Sequence, residues 1–270
     1  MDATAIQAIS DLAVSAVSVN AVNDTDAVVI PKTATIESLE KFNEAPNHFR
    51  GSFTTSLIRE FIAYINAHAN TSSAVFIDPD AMHASCIIDQ GKPESPQWGY
   101  HRATAKLKKT PEYDAVFQSN FRTLAQQDLI DFAEDWEAFI RFYDQNGEGI
   151  PFRQAINILR RVKLNATAST DQTIDNYAGS RSTLEQVEVR SGADVLPAGF
   201  LFTVEPYQGF TVRELICQLR AVTDEKTVKF KYRIKGLDNT IADIAHEFGQ
   251  LIKAACNDTF PVHLGVMTYQ

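Results

Sequence analysis

Val228-Lys229-Phe230-Lys231-Tyr232-Arg233-Ile234-Lys235 is the stretch on which the fold class turns, because its apolar and cationic residues alternate without a break. Successive side chains of an extended strand point to opposite faces. Val228, Phe230, Tyr232 and Ile234 therefore form one apolar row, and Lys229, Lys231, Arg233 and Lys235 a cationic row on the other side. Working outward, Leu184–Arg190, Gly199–Glu205 and Thr211–Val222 read as neighbouring strands. They are turned by Pro197-Ala198-Gly199, Pro206–Gly209 and Thr223-Asp224-Glu225. A helix follows, with the stripe Ile241, Ile244, Ala245, Phe248, Leu251, Ile252 and Ala255 and a cap at Asp238 or Asn239. Val262–Thr268 is expected to close this sheet.

Further upstream the period changes. Leu57, Ile58, Phe61, Ile62 and Ile65 recur at helical spacing from Thr54. Ala74–Ile77, Ala84–Asp89 and Tyr100–Lys108 then read as a three-stranded antiparallel meander. In its third strand Arg102, Thr104, Lys106 and Lys108 alternate with small apolar residues, so one face should be wet. Leu129, Phe132, Ala133, Trp136, Phe139, Ile140 and Tyr143 predict one long helix from about Leu124 to Tyr143, stopped at Asn146–Gly149. Pro151 opens the next helix, whose buried face is Ala155, Ile156, Leu159 and Val162. The expectation is an α+β protein of antiparallel β-sheets with covering helices and an extended N-terminal arm. Its parts are an arm (1–50), a helix-rich part with the meander (51–164), a loop or hinge (165–182) and an antiparallel sheet with one covering helix (183–270).

The arm is compositionally distinct. Lys32, Lys41 and Arg50 stand against seven carboxylates, a balance of −4, and Ile6, Ile9 and Ala13 share one side of a short helix. Ala27–Ile30 looks like a strand in need of a partner. Such a segment buries too little apolar area alone to offset the entropy of fixing it, so it is either a tail or a piece that orders against a neighbouring subunit.

Composition narrows the function classes. Across 270 residues, 34 acidic against 25 basic give a formal charge of −9, so the whole molecule carries no generic attraction to nucleic acid or anionic membrane. No apolar run approaches the roughly 18 residues a membrane-spanning helix needs. The first Lys or Arg is Lys32, the wrong charge for a secretory leader. Cys86, Cys217 and Cys256 form no C-x-x-C pair, which fits a reducing cytoplasm.

The sequence holds no G-x-G-x-x-G, phosphate loop, G-x-S-x-G or H-E-x-x-H. Asp78, Asp80, His83, Asp89 and His101 gather on or beside the meander, and hard oxygen and imidazole donors there could hold a divalent ion for hydrolysis. Asp78-Pro79-Asp80 is equally ordinary turn chemistry, and that reading is preferred. His83 and Cys86, with His101, offer part of a zinc set but lack the tight pairs of a structural site. Asp243, His246 and Glu247 share a helix surface, where solvated charges are expected opposite an apolar stripe. The cationic row Lys229, Lys231, Arg233 and Lys235 is the candidate anion- or nucleic-acid-binding surface. Arg102, Lys106, Lys108, Lys109, Arg160, Arg161 and Lys163 are further basic residues elsewhere in the chain. Such a row also discourages association between sheets, and it can pair with the acidic arm of another copy.

Phe49-Arg50-Gly51-Ser52-Phe53, Phe76-Ile77-Asp78-Pro79-Asp80, Trp98-Gly99-Tyr100-His101-Arg102-Ala103 and Lys109-Thr110-Pro111-Glu112-Tyr113 occur together. From about residue 30 onward the chain resembles the YfdQ-like proteins of bacteriophages and prophages. That resemblance implies a phage-encoded protein of the host cytoplasm and brings no catalytic residues with it. The expected function is a non-enzymatic accessory protein that assembles with itself into a ring or shell, with no catalytic residue, metal or cofactor. A nucleic-acid- or nucleotide-binding factor in recombination or counter-defence, using Lys229, Lys231 and Arg233, is the alternative. A metal-dependent hydrolase on Asp78, Asp80 and His83 comes third. The expected partners are further copies of the chain, then nucleic acid or a small anion, and no membrane.

Overall fold

The structure, a computed structural model, describes residues 3–15, 20–22, 25–27, 40–46, 48–162, 196–224, 227–256 and 259–268. The expected hinge at 165–182 and the expected strand Leu184–Arg190 lie outside the described residues. The chain forms two compact units, Met1–Phe49 and Arg50–Gln270.

The first unit holds helix α1 (Ala3–Ser15), a hairpin of β1 (Asn20–Val22) and β2 (Thr25–Ala27), and a 3-10 turn at Glu40–Phe42. The strand expected at Ala27–Ile30 meets β2 only at Ala27, its remainder lying outside the described residues.

The second unit runs β3 (Gly51–Thr55), α2 (Ile58–His68), β4 (Ala74–Asp78), β5 (His83–Ile87), the small hairpin β6 (Gly91–Lys92) and β7 (Ser95–Pro96), then β8 (His101–Lys106). It continues with α3 (Pro111–Gln118), β9 (Thr123–Ala125), α4 (Gln126–Asp135), a 3-10 turn (Glu137–Phe139), β10 (Ile140–Tyr143), β11 (Gly149–Ile150) and α5 (Phe152–Arg161). The last elements are β12 (Gly199–Val204), β13 (Arg213–Asp224), β14 (Thr227–Ile234), α6 (Leu237–Cys256) and β15 (Val262–Leu264). These segregated helices and largely antiparallel sheets make an α+β fold.

Two sheets carry it. One has the order β15-β4-β5-β8-β3 and contains the expected meander, β4, β5 and β8, flanked by parallel edge strands. The other is antiparallel throughout, β11-β10-β12-β13-β14-β9. Four expectations need correction. The helix read from Thr54 begins at Ile58, because Gly51–Thr55 first pairs as a strand with β8. The long helix of 124–143 is instead β9, α4, a 3-10 turn and β10, broken where Trp136 leaves helical geometry. The last strand joins the other sheet, beside β4, rather than closing the one that contains β14. The six-stranded sheet also draws strands from both sides of the expected hinge, so no helix-rich half faces a strand-rich half.

Local chemistry explains the new helix α3. Pro111 occupies its first turn, where the missing N–H costs nothing, and the Thr110 hydroxyl accepts from the Tyr113 amide at 3.4 Å. A single core then joins both sheets through the helices. Phe132 of α4 packs near Phe200, Phe202 and Tyr232 on the inner face of the six-stranded sheet. Tyr232 donates to the Val116 carbonyl at 2.7 Å, pinning α3 to that face. Near α6, Phe210 stacks on Phe248. The Arg213 guanidinium meets the Glu247 carboxylate at 2.7 Å.

Candidate functional site

The outward face of the six-stranded sheet follows from register. Phe230, Tyr232 and Ile234 are buried, so Lys229, Lys231 and Arg233 face the other way. Lys229 lies between Val222 of β13 and Ala125 of β9, Lys231 between Arg220 and Thr123, and Arg233 opposite Gln218. Arg220 and Lys231 are therefore like charges directly across a strand pair, an arrangement that destabilises a sheet unless a counter-charge sits over it. Lys235 lies just past the strand end and still donates its amide to the Ile216 carbonyl at 2.8 Å. Ile216 and Val222 are exposed apolar residues on the same face. Farther along, Arg141 of β10 pairs with Glu214 of β13.

Phe121 adds an aromatic to this surface. It sits just before β9 at φ 62°, a left-handed conformation that a bulky side chain adopts only under constraint. The constraint includes its amide, which donates to the Tyr232 carbonyl at 2.9 Å. Phe121 is 53% exposed, and Lys231 Nζ lies 5.5 Å from its ring centroid. Arg220 also lines a shallow depression of about 550 Å³ with Tyr143, Asn146 and Gln218.

Three of the other expected basic residues are engaged elsewhere. Lys109 Nζ lies 3.6 Å from the Phe117 ring centroid, Arg102 donates to the Gly99 carbonyl, and Arg160 pairs with Glu134. Lys163 lies outside the described residues.

The cluster Asp78, Asp80, His83, Asp89 and His101 comes apart. Asp78 and His83 are cross-strand partners at one end of the meander, with Lys106 beyond His83. His101 and Asp89 sit at the opposite end, about 16–17 Å along the strands. Asp78 accepts from the Ala81 amide at 3.2 Å, as a turn aspartate does, and Asp80 is exposed in that turn. His83 and Cys86 lie three apart on one strand and so face opposite sides. Among the described residues, no three His, Cys, Asp or Glu side chains are placed to hold a metal. Burial, with a smaller contribution from Cys256, pushes the Cys86 thiol up to about 12, and burial raises Cys217 and Cys256 as well. Such thiols are poor nucleophiles. Of the α6 trio, Glu247 is committed to the Thr211 amide and hydroxyl and to Arg213, while Asp243 and His246 are exposed.

A different cluster escaped the sequence reading. Tyr64 and His68, one turn apart on α2, meet His101 of β8, with the Tyr64 hydroxyl 2.9 Å from His101 Nε2. Phe53 stacks on Tyr64 with centroids 4.4 Å apart. Asp89 accepts from the Tyr100 and His101 amides at 3.0 and 2.8 Å. Desolvation first, then nearby His68, lowers the His101 pKa, against an opposing pull from Asp89. The i, i+4 spacing of Tyr64 and His68 was the available signal; their meeting with His101 depends on how α2 lies on the sheet.

Residues 1–267 match the family described as uncharacterized conserved protein (DUF2303). The chain belongs to the DUF2303 family. No curated protein and no solved structure matches it. Membership covers both units of this DUF2303 chain, so the acidic first unit and the two-sheet second unit fall within one family definition. Among its described residues, no helix is long and apolar enough to cross a membrane.

Proposed function

We propose that this chain is a phage- or prophage-encoded accessory protein of the host cytoplasm that works by assembling with copies of itself, not by catalysis. The phage context rests on the resemblance to YfdQ-like proteins. The observation that carries the assembly reading is the apolar stripe of α1: Ile6, Ile9 and Leu12 recur at helical spacing and are 55%, 61% and 69% exposed in the single chain. A helix with such a stripe gains by burying it, at about 25 cal/mol per Å² of apolar surface removed from water. The acidic balance of residues 1–50 and the cationic surfaces of the second unit favour contact between copies. Closed symmetric assemblies are the common outcome of such contacts. The non-catalytic reading is supported by the structural roles of Asp78 and Glu247 and by the suppressed thiols.

Native mass by light scattering, with negative-stain imaging, tests the proposal. The full chain is expected as a discrete multimer. Deleting residues 1–30, or changing Ile6, Ile9 and Leu12 together to Asp, is expected to reduce it to monomers or small oligomers. Truncated protein with the full-length subunit count would refute the role of the arm.

A further inference from the structure

The cationic surface of β14 offers a chemistry that assembly alone does not use. We infer that the outward face of the six-stranded sheet, centred on Arg220, Lys231, Arg233 and Phe121, binds single-stranded nucleic acid. Three observations converge on this ligand.

First, register places Arg220 directly opposite Lys231, with Arg233 two residues farther along the same face. Like charges held this close gain from a polyanion that bridges them, and spacing along a strand suits successive phosphates. Second, Phe121 is kept exposed in a left-handed backbone conformation beside Lys231. Burial does not explain a constrained, exposed aromatic, whereas a base stacking on its free surface does. Third, the face continues past Arg220 into the depression lined by Tyr143, Asn146 and Gln218. The hydroxyl, amide and guanidinium groups there suit sugar and phosphate. Asp144 also borders it, but its carboxylate is occupied by the Asn146 and Glu148 amides at 2.9 and 2.8 Å. An acidic peptide, such as the arm of another copy, would satisfy the cations but leaves the aromatic without a role. A duplex is less suited because its bases are already stacked on each other.

Fluorescence anisotropy of labelled thirty-nucleotide oligothymidylate with the full chain tests the inference. Three phosphate contacts would weaken binding about twentyfold between 50 and 200 mM salt, because each contributes about 0.7 to the log–log slope. Arg220→Gln is expected to lower that slope by about 0.7. The double variant Arg220→Glu/Lys231→Glu is expected to lose binding while keeping its far-UV circular dichroism. Phe121→Ala should weaken binding about fivefold or more with the slope unchanged, and Phe121→Trp should retain it. The inference is overturned if the full chain shows no salt-dependent binding at 50 mM salt, or if charge reversal leaves binding intact. Polyglutamate bound as tightly as oligothymidylate, with no effect of Phe121→Ala on either, would instead assign the face to an acidic peptide.

Discussion

The two sheets of the second unit present their polar residues in opposite ways. On the outward face of the five-stranded sheet, one row runs Asp78, His83, Lys106 across three strands, so a carboxylate and an ammonium flank an imidazole. Beside it, Phe76 stacks on His263 with centroids 5.3 Å apart. The corresponding surface of the six-stranded sheet sets Arg220 against Lys231 and adds Arg233 and an exposed Phe121. One surface balances itself within the chain; the other gains from charge supplied from outside. The polar cluster that looks most catalytic in the sequence belongs to the self-balanced sheet, and the like-charged pair Arg220 and Lys231 belongs to the other.

The largest effects should show what the sheets share. Phe61 of α2 serves the five-stranded sheet and Phe202 the six-stranded one, and both are fully buried in one continuous core. Phe61→Ala and Phe202→Ala should each cost about 3–5 kcal/mol, because each leaves a cavity that close-packed neighbours fill only in part. Urea unfolding of either variant should remain one transition with a lowered midpoint. Two separated transitions would show that the sheets unfold as independent bodies.

A smaller effect should separate the sheets by pH. His68, His83, His101 and His263 all lie on or beside the five-stranded sheet, and the strands of the six-stranded sheet contain no histidine. Desolvation and then His68 hold the His101 pKa below its ordinary 6.5, so the unfolded chain binds a proton at this site more readily than the folded one. Stability linked to His101 is therefore full above the ordinary value and declines as pH falls through it. Hydrogen exchange should show the amides around β8 and α2 losing protection between pH 7.5 and pH 5.5 more than those of β12 and β13. In His101→Gln that difference should shrink. An equal response in both sheets, or one unaltered by the substitution, would remove His101 as its source.

What the sequence made legible was local pattern. Strict alternation placed Lys229, Lys231 and Arg233 on the outward face of β14, and the meander strands were read within a few residues. The errors arose where two periods coincide or where a partner is distant. The apolar series Leu129, Phe132, Ala133, Trp136, Phe139, Ile140 and Tyr143 keeps helical spacing while the chain passes from α4 through a 3-10 turn into β10, so a helical stripe runs on into a strand. Period two was nevertheless visible there, with Arg141 exposed between two buried neighbours. Gly51–Thr55 and Val262–Leu264 pair in parallel with strands far away in sequence, and nothing local specifies those partners. The turn expected at Thr223-Asp224-Glu225 falls too early to show the partner of Arg220: pairing Asp224 with Thr227 sets Arg220 against Lys231. Phe121 carried no signal, since its meaning lies in a backbone angle.

The smallest effect bears most directly on the difference in charge. Removing one member of a like-charged cross-strand pair should stabilise the sheet, so Arg220→Gln is expected to raise unfolding free energy by about 0.2–1 kcal/mol at low salt. Asp78→Asn should act in the opposite direction by a similar amount, because it weakens the charge-assisted bond to the Ala81 amide and unbalances the row with His83 and Lys106. Raising the salt from 20 to 500 mM should shrink the Arg220→Gln gain most, since screening relieves the same repulsion in the parent protein. Paired urea titrations of both variants measure the two signs. A loss of stability in Arg220→Gln would mean that the guanidinium already has its counter-charge within the chain, and the contrast between the sheets would vanish.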